Sequence, residues 1–289
     1  MSSKRIGPFL GLNNTRPLTQ LEQFERGRRS GDFMRSADNV DVTDAGTLRR
    51  RQGWAKRLGG TQMRGLFALD DGSALVADYN QLCRLTYEEG QLTKQALMAE
   101  LHPGAEISYT ATPAGVYLTD GYGLWVLRGG AVARATMDAP TAPGLSASAG
   151  GSLPGGLYQV VCTFERHDGT QSCASVSVQA DVPDGGILNI HLPTTTQPLT
   201  AWVNVFVSPV NGDALFLAER LPIGTTSTTL YVPPEQGGRC MTLHMAPMPA
   251  GHIVRQHQGK LLVARGAAVF TSQPYAYGIY DPAEDFMQF

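Results

Sequence analysis

The sequence predicts an all-β protein in which partial β-propeller-like blades are interrupted by a β-sandwich. Three stretches, residues 63–85, 107–127 and 253–270, repeat one pattern: a polar turn, an apolar strand, a tight turn and a second strand. Between the second and third stretches lies a series of short alternating strands with a different spacing. Glycine and proline, at 33 and 18 of 289 residues, suit a chain of many short strands and turns.

The N-terminal segment is predicted to be an extended arm followed by a hairpin. Prolines and an Asn-Asn pair interrupt residues 1–35, which leaves room for at most one short helical turn. Residues 37–42 then alternate, Asp44-Ala45-Gly46 turns, and Leu48 to Arg51 returns as a second strand. Trp54 is expected to pack this hairpin onto the first blade.

The blade-like repeats occupy residues 36–137 and return at residues 248–289. Gly72 and Gly115 are 43 residues apart, close to the roughly 40–50-residue period of a propeller blade. A propeller needs about four to eight blades to close, and unpaired strand edges are a liability. We therefore expect either a longer chain or neighbouring copies that complete the structure.

Residues 138–247 are predicted to form a separate sandwich inserted between the blades. Pro140 and Pro143 mark the boundary, and turns follow at Asp168-Gly169 and 184–186. The dipeptide Asn211-Gly212 predicts a two-residue hairpin. Six or seven short strands over about 95 residues indicate a small β-sandwich.

The four cysteines are predicted to be free thiols. The sequence has no C-x-x-C pair, and a two-residue turn at residues 168–169 would place Cys162 opposite Ser175 instead of Cys173. The spacing of His252 and His257 suits neither a helix face nor a zinc pair. We therefore predict no metal and no cofactor.

The charge is unevenly distributed along the chain. Residues 1–60 hold 12 Lys or Arg against 6 Asp or Glu, whereas the whole chain has a net charge of −2. Such a basic segment can meet phosphate, or it can be a solvated loop or an arm that docks on an acidic neighbour. No aromatic residues interleave the arginines as a nucleic-acid platform would need, which favours the second interpretation. The candidate inter-subunit contacts are Arg26, Arg28, Arg29, Arg49, Arg50, Arg51, Lys56 and Arg57.

Neither a membrane span nor a secretory signal is predicted. No run of 18 apolar residues occurs, and the first ten residues lack the apolar region of a signal peptide. We expect synthesis and assembly in a cytoplasm.

Two stretches resemble known families. Residues 11–14, 36–42 and 46–54, the last reading Gly-Thr-Leu-Arg-Arg-Arg-Gln-Gly-Trp, resemble the start of bacteriophage tail nozzle or hub proteins, also called DNA-stabilisation proteins. The second stretch, residues 140–232, is similar to a fibronectin type III-like module of the immunoglobulin-like class, with Tyr158 and Trp202 in its apolar strands.

The resemblance implies a structural role in the virion. The family's members form rings in the tail or head-to-tail region, so a cyclic homo-oligomer is expected, a hexamer or dodecamer. The implied partners are other copies and neighbouring virion proteins, with non-specific proximity to packaged DNA. The implied location is the virion, after assembly in the host cytoplasm.

An enzyme is the less favoured interpretation. Propellers also host glycosidases, which need two carboxylates around a cleft. The paired acids Asp70-Asp71, Glu88-Glu89 and Glu284-Asp285 fall at turn-like positions, where acids bond the backbone. No nucleophile elbow, P-loop or zincin helix occurs in the sequence. We expect no catalysis.

A host-surface-binding module is the main alternative. Loops on a rigid sandwich are common binding sites, and the candidates are His167-Asp168, residues 194–196 and Asn211-Gly212. Tyr275, Tyr277 and Tyr280 could form a platform for sugar stacking, although an interface or core role is favoured.

Overall fold

The computed structural model describes residues 8–12, 15, 21–25, 28–34, 36, 38, 40–51 and 55–289. These residues are all-β, with strands, turns and no helix. The chain divides into two compact units, Met1–Gly59 and Gly60–Phe289. No helix in the described ranges is long and apolar enough to cross a membrane.

The first unit contains a three-stranded sheet and a hairpin. Its strands are β1 (Phe9–Leu12), β2 (Glu22–Glu25), β3 (Arg28–Met34), β4 (Val40–Val42) and β5 (Leu48–Arg50). The sheet has the order β1-β3-β2, with β1 parallel and β2 antiparallel to β3. Part of the predicted arm is therefore paired in a sheet. The predicted hairpin is confirmed, since β4 pairs with β5 around the turn that ends at Gly46.

Two four-stranded antiparallel meanders open the second unit. The first meander contains β6 (Met63–Ala68), β7 (Ala74–Asp78), β8 (Gln81–Glu88) and β9 (Gln91–Met98). The second meander contains β10 (Ser108–Thr112), β11 (Gly115–Thr119), β12 (Leu124–Arg128) and β13 (Ala131–Arg134). In both, the strands pair in chain order, so each sequence repeat has become one complete sheet.

Two sheets that share one core follow, and we call them the paired sheets. Their strands are β14 (Gly144–Leu153), β15 (Gly156–Arg166), β16 (Val178–Val182), β17 (Gly186–His191), β18 (Thr200–Val207), β19 (Phe216–Pro222) and β20 (Ser227–Leu230). One sheet has the order β14-β17-β20 and the other β16-β15-β18-β19. Leu188 and Ile190 from the first sheet pack with Val160, Val203 and Val205 from the second.

The chain then returns to a third meander. Its remaining strands are β21 (Ala246–Pro247), β22 (Ile253–His257), β23 (Lys260–Arg265), β24 (Ala268–Thr271), β25 (Ile279–Tyr280) and β26 (Phe286–Gln288). The third meander has the order β22-β23-β24-β26, and β21 pairs separately with β25. The third repeat of the sequence is thus also a four-stranded antiparallel sheet.

The second meander is covered on both faces. Successive strand residues point to opposite faces of a sheet, and burial follows that alternation. Leu118 and Trp125 pack against the first meander. Tyr117 and Val126 pack against the third meander, where they meet Val254. The three meanders therefore form a stack with the second in the middle.

The third meander has one covered and one open face. Val254, Val263 and Phe270 lie opposite one another and face the second meander. The next row, Ile253–Ala264–Val269–Met287, points the other way. Ile253 and Met287 are 52% and 56% exposed. The described sheets form no closed propeller.

The register of the hairpin at residues 168–169 settles the cysteine geometry. Ser175 N–H donates to the carbonyl of Cys162 (2.8 Å), and the Cys162 N–H donates to Ser175 Oγ (3.0 Å). The predicted partner of Cys162 is confirmed, and all four cysteines are buried free thiols. Near the turn the pairing is offset by one residue, because Glu165 lies opposite Gln171.

The predicted two-residue hairpin at Asn211-Gly212 is wrong. Strand β18 ends at Val207 and β19 begins at Phe216, so the dipeptide lies inside a longer connection. Asn211 has the expected left-handed backbone, with φ of 57°. However, its side-chain Oδ1 accepts from Leu157 N–H (3.0 Å), and its own N–H donates to the Leu157 carbonyl (2.8 Å). The turn is tied to the start of β15.

Candidate functional site

A cleft of about 790 Å³ opens between the second meander and three loops of the second unit. Its walls come from β11 and β12, from residues 166–171, from residues 241–245 and from residues 273–279. The volume lies within the range of roughly 300–1,000 Å³ that is typical of ligand sites. This cleft is the candidate functional site.

The apolar walls of the cleft combine buried and exposed side chains. Tyr117 and Tyr277 meet edge to face with their ring centroids 5.3 Å apart, and both are buried. At the mouth, Met241 and Tyr275 are each 75% exposed. Tyr275 has a φ of 58° and its N–H donates to the Gly259 carbonyl (2.8 Å). A non-glycine residue with that backbone is uncommon.

An ion pair crosses the cleft from the second meander to the paired sheets. Arg128, the last residue of β12, pairs with Asp168 in the hairpin after β15. The Arg128 Nε also donates to the Ala114 carbonyl (2.6 Å). Burial opposes ionisation of Asp168, but hydrogen bonds from Thr170 and the charges of Arg128 and Arg166 lower the pKa of this carboxyl below its ordinary value. The pair is therefore ionised at neutral pH.

A second arginine beside the cleft is buried without an acidic partner. Arg166 is 6% exposed. It donates to the carbonyls of Arg134 (2.9 Å) and Thr136 (3.4 Å), while its Nε has no hydrogen-bond partner. Burial lowers the pKa of Arg166, and the charge of Asp168 acts in the opposite direction. Since Arg166 forms no ion pair among the described residues, the cleft carries a net positive charge.

The tyrosines of the cleft remain protonated. Burial raises the pKa of Tyr117 to about 12, although the charge and hydrogen bond of Arg128 act to lower it. Burial also raises the pKa of Tyr277, whose hydroxyl has no hydrogen-bond partner among the described residues. Apolar walls with two cations and one carboxylate suit binding of a segment that is both apolar and acidic.

The three tyrosines proposed as a sugar platform do not form one exposed surface. Tyr275 is exposed at the cleft mouth, but Tyr277 belongs to the core between the second and third meanders. Tyr280 packs against Phe270, with ring centroids 5.3 Å apart. The core role is thus confirmed for Tyr277.

The predicted basic contacts are confined to the first unit. Arg28 lies in β3, Arg49 and Arg50 lie in β5, and Arg26 lies outside the described residues. The side chains of residues 49–51, 56 and 57 are exposed. Arg29 also lies in β3. Arg51 pairs with Asp41 (2.7 Å) on the solvent-facing hairpin.

The sequence does not predict the cleft, because the walls of the cleft come from four separated stretches of the chain. The predicted binding loop at His167-Asp168 was a partial signal, since Asp168 does line the cleft. Among the described residues, no group of three His, Cys, Asp or Glu side chains could hold a metal ion. The chain matches no protein-family model and no curated protein.

Proposed function

We propose that this protein is a structural component of a bacteriophage virion and forms part of the tail or head-to-tail channel as a ring of copies. The observation that carries the proposal is the open stack of meanders. The second meander is covered on both faces, whereas the third exposes the apolar row that contains Ile253 and Met287. An apolar face of this kind is suited to a further sheet or a neighbouring chain.

The meanders support a propeller-like arrangement of blades. A four-stranded sheet that pairs in chain order is the repeating unit of a propeller. The first strands of the second and third meanders lie together, as the innermost strands of adjacent blades do. Val254 N–H donates to Ser108 Oγ (3.0 Å), and Gln256 N–H donates to Thr110 Oγ1 (3.1 Å). Copies related by rotation make head-to-tail contacts that can close into a ring.

The paired sheets support an inserted sandwich of the immunoglobulin or fibronectin type III class. They hold three and four strands around one core, a division that seven-stranded immunoglobulin sandwiches share. Tyr158 lies in that core. Trp202 instead faces outward beneath Arg220, whose guanidinium carbon is 4.7 Å from the ring centroid. We propose that these sheets have a spacing role on the particle surface.

The proposed partners are other copies, neighbouring virion proteins and, without sequence specificity, packaged DNA. The exposed arginines of the β4–β5 hairpin support the contact with an acidic neighbour. A hexamer or dodecamer is the stoichiometry that the nozzle resemblance implies. The proposed location is the virion, after assembly in the host cytoplasm.

We propose a binding and scaffolding role without catalysis. One of the paired acids supports it, because Asp71 accepts from Ser73 N–H (3.0 Å) and pairs with Arg84. The Ser73 hydrogen bonds and the charge of Arg84 lower the pKa of Asp71. A carboxylate held in this way stabilises a turn.

The cleft favours one alternative function, a host-surface-binding module. Its exposed Tyr275 and Met241 could anchor a receptor segment. Asp168 belongs to the His167-Asp168 loop, which the sequence predicts as a binding loop for such a module. The two functions differ in location, since a receptor binder exposes this cleft at a tip and a channel protein encloses it in a ring.

The test is cryo-EM of intact particles together with one variant. Replacing Arg49, Arg50 and Arg51 with Ala should leave the chain folded, because exposed charges add little stability, but should lower the yield of assembled particles. Arg239→Ala, at an exposed arginine beside β19, serves as the control and should assemble normally. Finding the chain as a lone monomer at a fibre tip would overturn the channel proposal.

A further inference from the structure

The hairpin between β8 and β9 carries an aromatic and acidic tip. Tyr87 is 69% exposed, and Glu88 and Glu89 are also exposed. Glu89 and Gly90 both have a positive φ, of 50° and 83°, which matches the tight turn that closes a two-residue hairpin. Neither glutamate forms an ion pair among the described residues. Tyrosine is one of the residue types enriched at interface hot spots, so this tip is a candidate contact surface.

The tip and the cleft open at the same end of the stack. Leu85 lies opposite Ala74, the first residue of β7, so residues 86–88 extend beyond that strand. The turn that precedes β7 borders a groove whose other side is Pro113, Ala114 and Arg128. These three residues also line the cleft.

Within one chain the tip cannot enter the cleft, because the second meander separates them. The tip belongs to the first meander, which packs on the Leu118 and Trp125 face of the second. The cleft includes Tyr117 and Val126, which belong to the opposite face. A tip that fills this cleft must therefore come from another copy.

We infer that the cleft binds the Tyr87-Glu88-Glu89 tip of a second copy of this chain. Tyr87 fits among the apolar side chains of Met241, Met245 and Tyr275, and the glutamates face the positive charge of Arg128 and Arg166. Aromatic anchors in such pockets, with charged groups around them, carry most of the binding energy at interfaces. This inference rests on the proposed ring, in which the tip of one copy would bind the cleft of the next copy.

The charge pattern argues against the N-terminal segment as the occupant. Residues 1–60 carry twice as many Lys and Arg as Asp and Glu, and like charges across an interface are unfavourable. The tip has the opposite sign. Because tip and cleft are different surfaces, each copy offers one of each, and the contact is head-to-tail.

Sedimentation velocity on the full chain tests the contact with tip and cleft variants. The tip variants are Tyr87→Ser and the double change Glu88→Lys with Glu89→Lys. The cleft variant is Met241→Glu, at a side chain exposed enough to leave the fold intact. Each should raise the dissociation constant for self-association by about tenfold or more, as loss of an interface anchor does. Tyr231→Ser and Glu235→Lys, at exposed residues that follow β20, are controls and should leave the dissociation constant unchanged.

Mixing the variants distinguishes a head-to-tail contact from other assemblies. A chain with a damaged tip still has an intact cleft, and a chain with a damaged cleft still has an intact tip. The mixture should therefore form one-to-one dimers that stop growing, although each variant alone self-associates at least about tenfold more weakly than the parent. Combining Met241→Glu with both lysine changes in one chain should restore assembly.

Three results would overturn the inference. If rings form in particles while the tip and cleft variants self-associate as the parent does, the contact is wrong and the proposed ring stands. If the mixture contains no dimer, the contact is likewise wrong, and binding of another protein or of a glycan to the cleft becomes the interpretation to pursue. A lone monomer in the particle would remove both the ring and the contact.

Discussion

The paired sheets and the meander stack bury their apolar residues in different ways. The paired sheets turn their apolar faces toward each other, and residues such as Leu188 and Val203 are fully buried by strands of the same body. In the stack, the second meander uses both faces and the third uses one. The first arrangement is complete by itself. The second can continue, because its last face still exposes Ile253 and Met287.

Buried polar groups also differ between the two regions. In the paired sheets, Glu165 joins a side-chain network in which it accepts from Asn204 Nδ2 (2.7 Å) and Arg220 Nη2 (2.6 Å). In the stack, Asp78 accepts from the backbone N–H groups of Thr61 and Gln62, each at 2.8 Å. The carboxylate of the stack therefore fixes the chain that enters the first meander, whereas Glu165 joins strands of one sheet.

The largest effects are expected from matched deletions in the two cores. Leu118→Ala in the second meander and Leu188→Ala in the paired sheets remove the same atoms from sites with 0% exposure. Each should lower the free energy of unfolding by about 2–5 kcal/mol. Urea denaturation followed by tryptophan fluorescence measures both.

The same pair of variants shows whether the two regions unfold together. One cooperative transition should shift in both variants, because residues 60–289 form one compact unit. Two transitions, each shifted by only one variant, would mean that the stack and the paired sheets are independent. If either variant lowers the free energy of unfolding by less than about 1 kcal/mol, the corresponding leucine is not fully buried in the folded protein.

A smaller, pH-dependent effect is expected at Asp78. The hydrogen bond from Lys94 (2.6 Å), followed by that from Gln62 N–H, lowers the pKa of Asp78 from 3.8 to about 2. A carboxyl whose pKa is lower in the folded state stabilises the protein fully above about pH 4, and this contribution is lost as the pH falls toward 2. Asp78→Asn should therefore be less stable at neutral pH and lose less stability on acidification.

Lys94→Met provides the matched comparison for Asp78. It removes the main donor but keeps the backbone N–H groups of Thr61 and Gln62, so the acid dependence should flatten only in part. Thermal melts from pH 6 to pH 2 measure all three proteins. Parallel curves for the parent and Asp78→Asn would show that another group governs acid stability in this range.

The smallest effect on folding is expected on the open face of the third meander. Ile253→Lys and Met287→Lys should change the free energy of unfolding by less than about 0.5 kcal/mol, as surface substitutions usually do. Both should nevertheless weaken self-association, because a charge would be buried when the face is covered. Val176→Lys, at a residue of the paired sheets' region that is also exposed, is the control for sedimentation. Unchanged association in the Ile253 and Met287 variants would mean that this face stays open to solvent.

The apolar strands of the meanders could be predicted from the sequence, but their outer strands could not. Residues 74–77, 116–118 and 261–264 alternate or are uniformly apolar, because they belong to inner strands of their sheets with at least one covered face. By contrast, β9 and β13 have mixed polar sequences, and β26 is three exposed residues. Such strands form because their backbone hydrogen-bonds to an adjacent strand. The local sequence does not indicate that this neighbour is present.

The cleft could not be predicted because long-range packing creates it. Arg128 and Asp168 are 40 residues apart, and nothing near either residue indicates the other. Asn211-Gly212 also shows that long-range contacts cannot be predicted from a local pattern. Its local signal for a turn was right, but the bonds to Leu157 decided which segments the turn connects.

Gly278 has a consequence for how this chain could have acquired its paired sheets. The chain leaves the stack after Ala135 and re-enters it at Met248, and both positions lie against Gly278. The Met248 N–H donates to the Gly278 carbonyl (2.9 Å), and a Cβ at Gly278 would lie 2.6 Å from the Ala135 carbonyl oxygen. The point where the chain leaves the stack and the point where it returns are therefore adjacent, and the glycine between them leaves room for both backbones. A segment with adjoining ends can be gained, lengthened or exchanged during evolution while the three meanders keep their contacts.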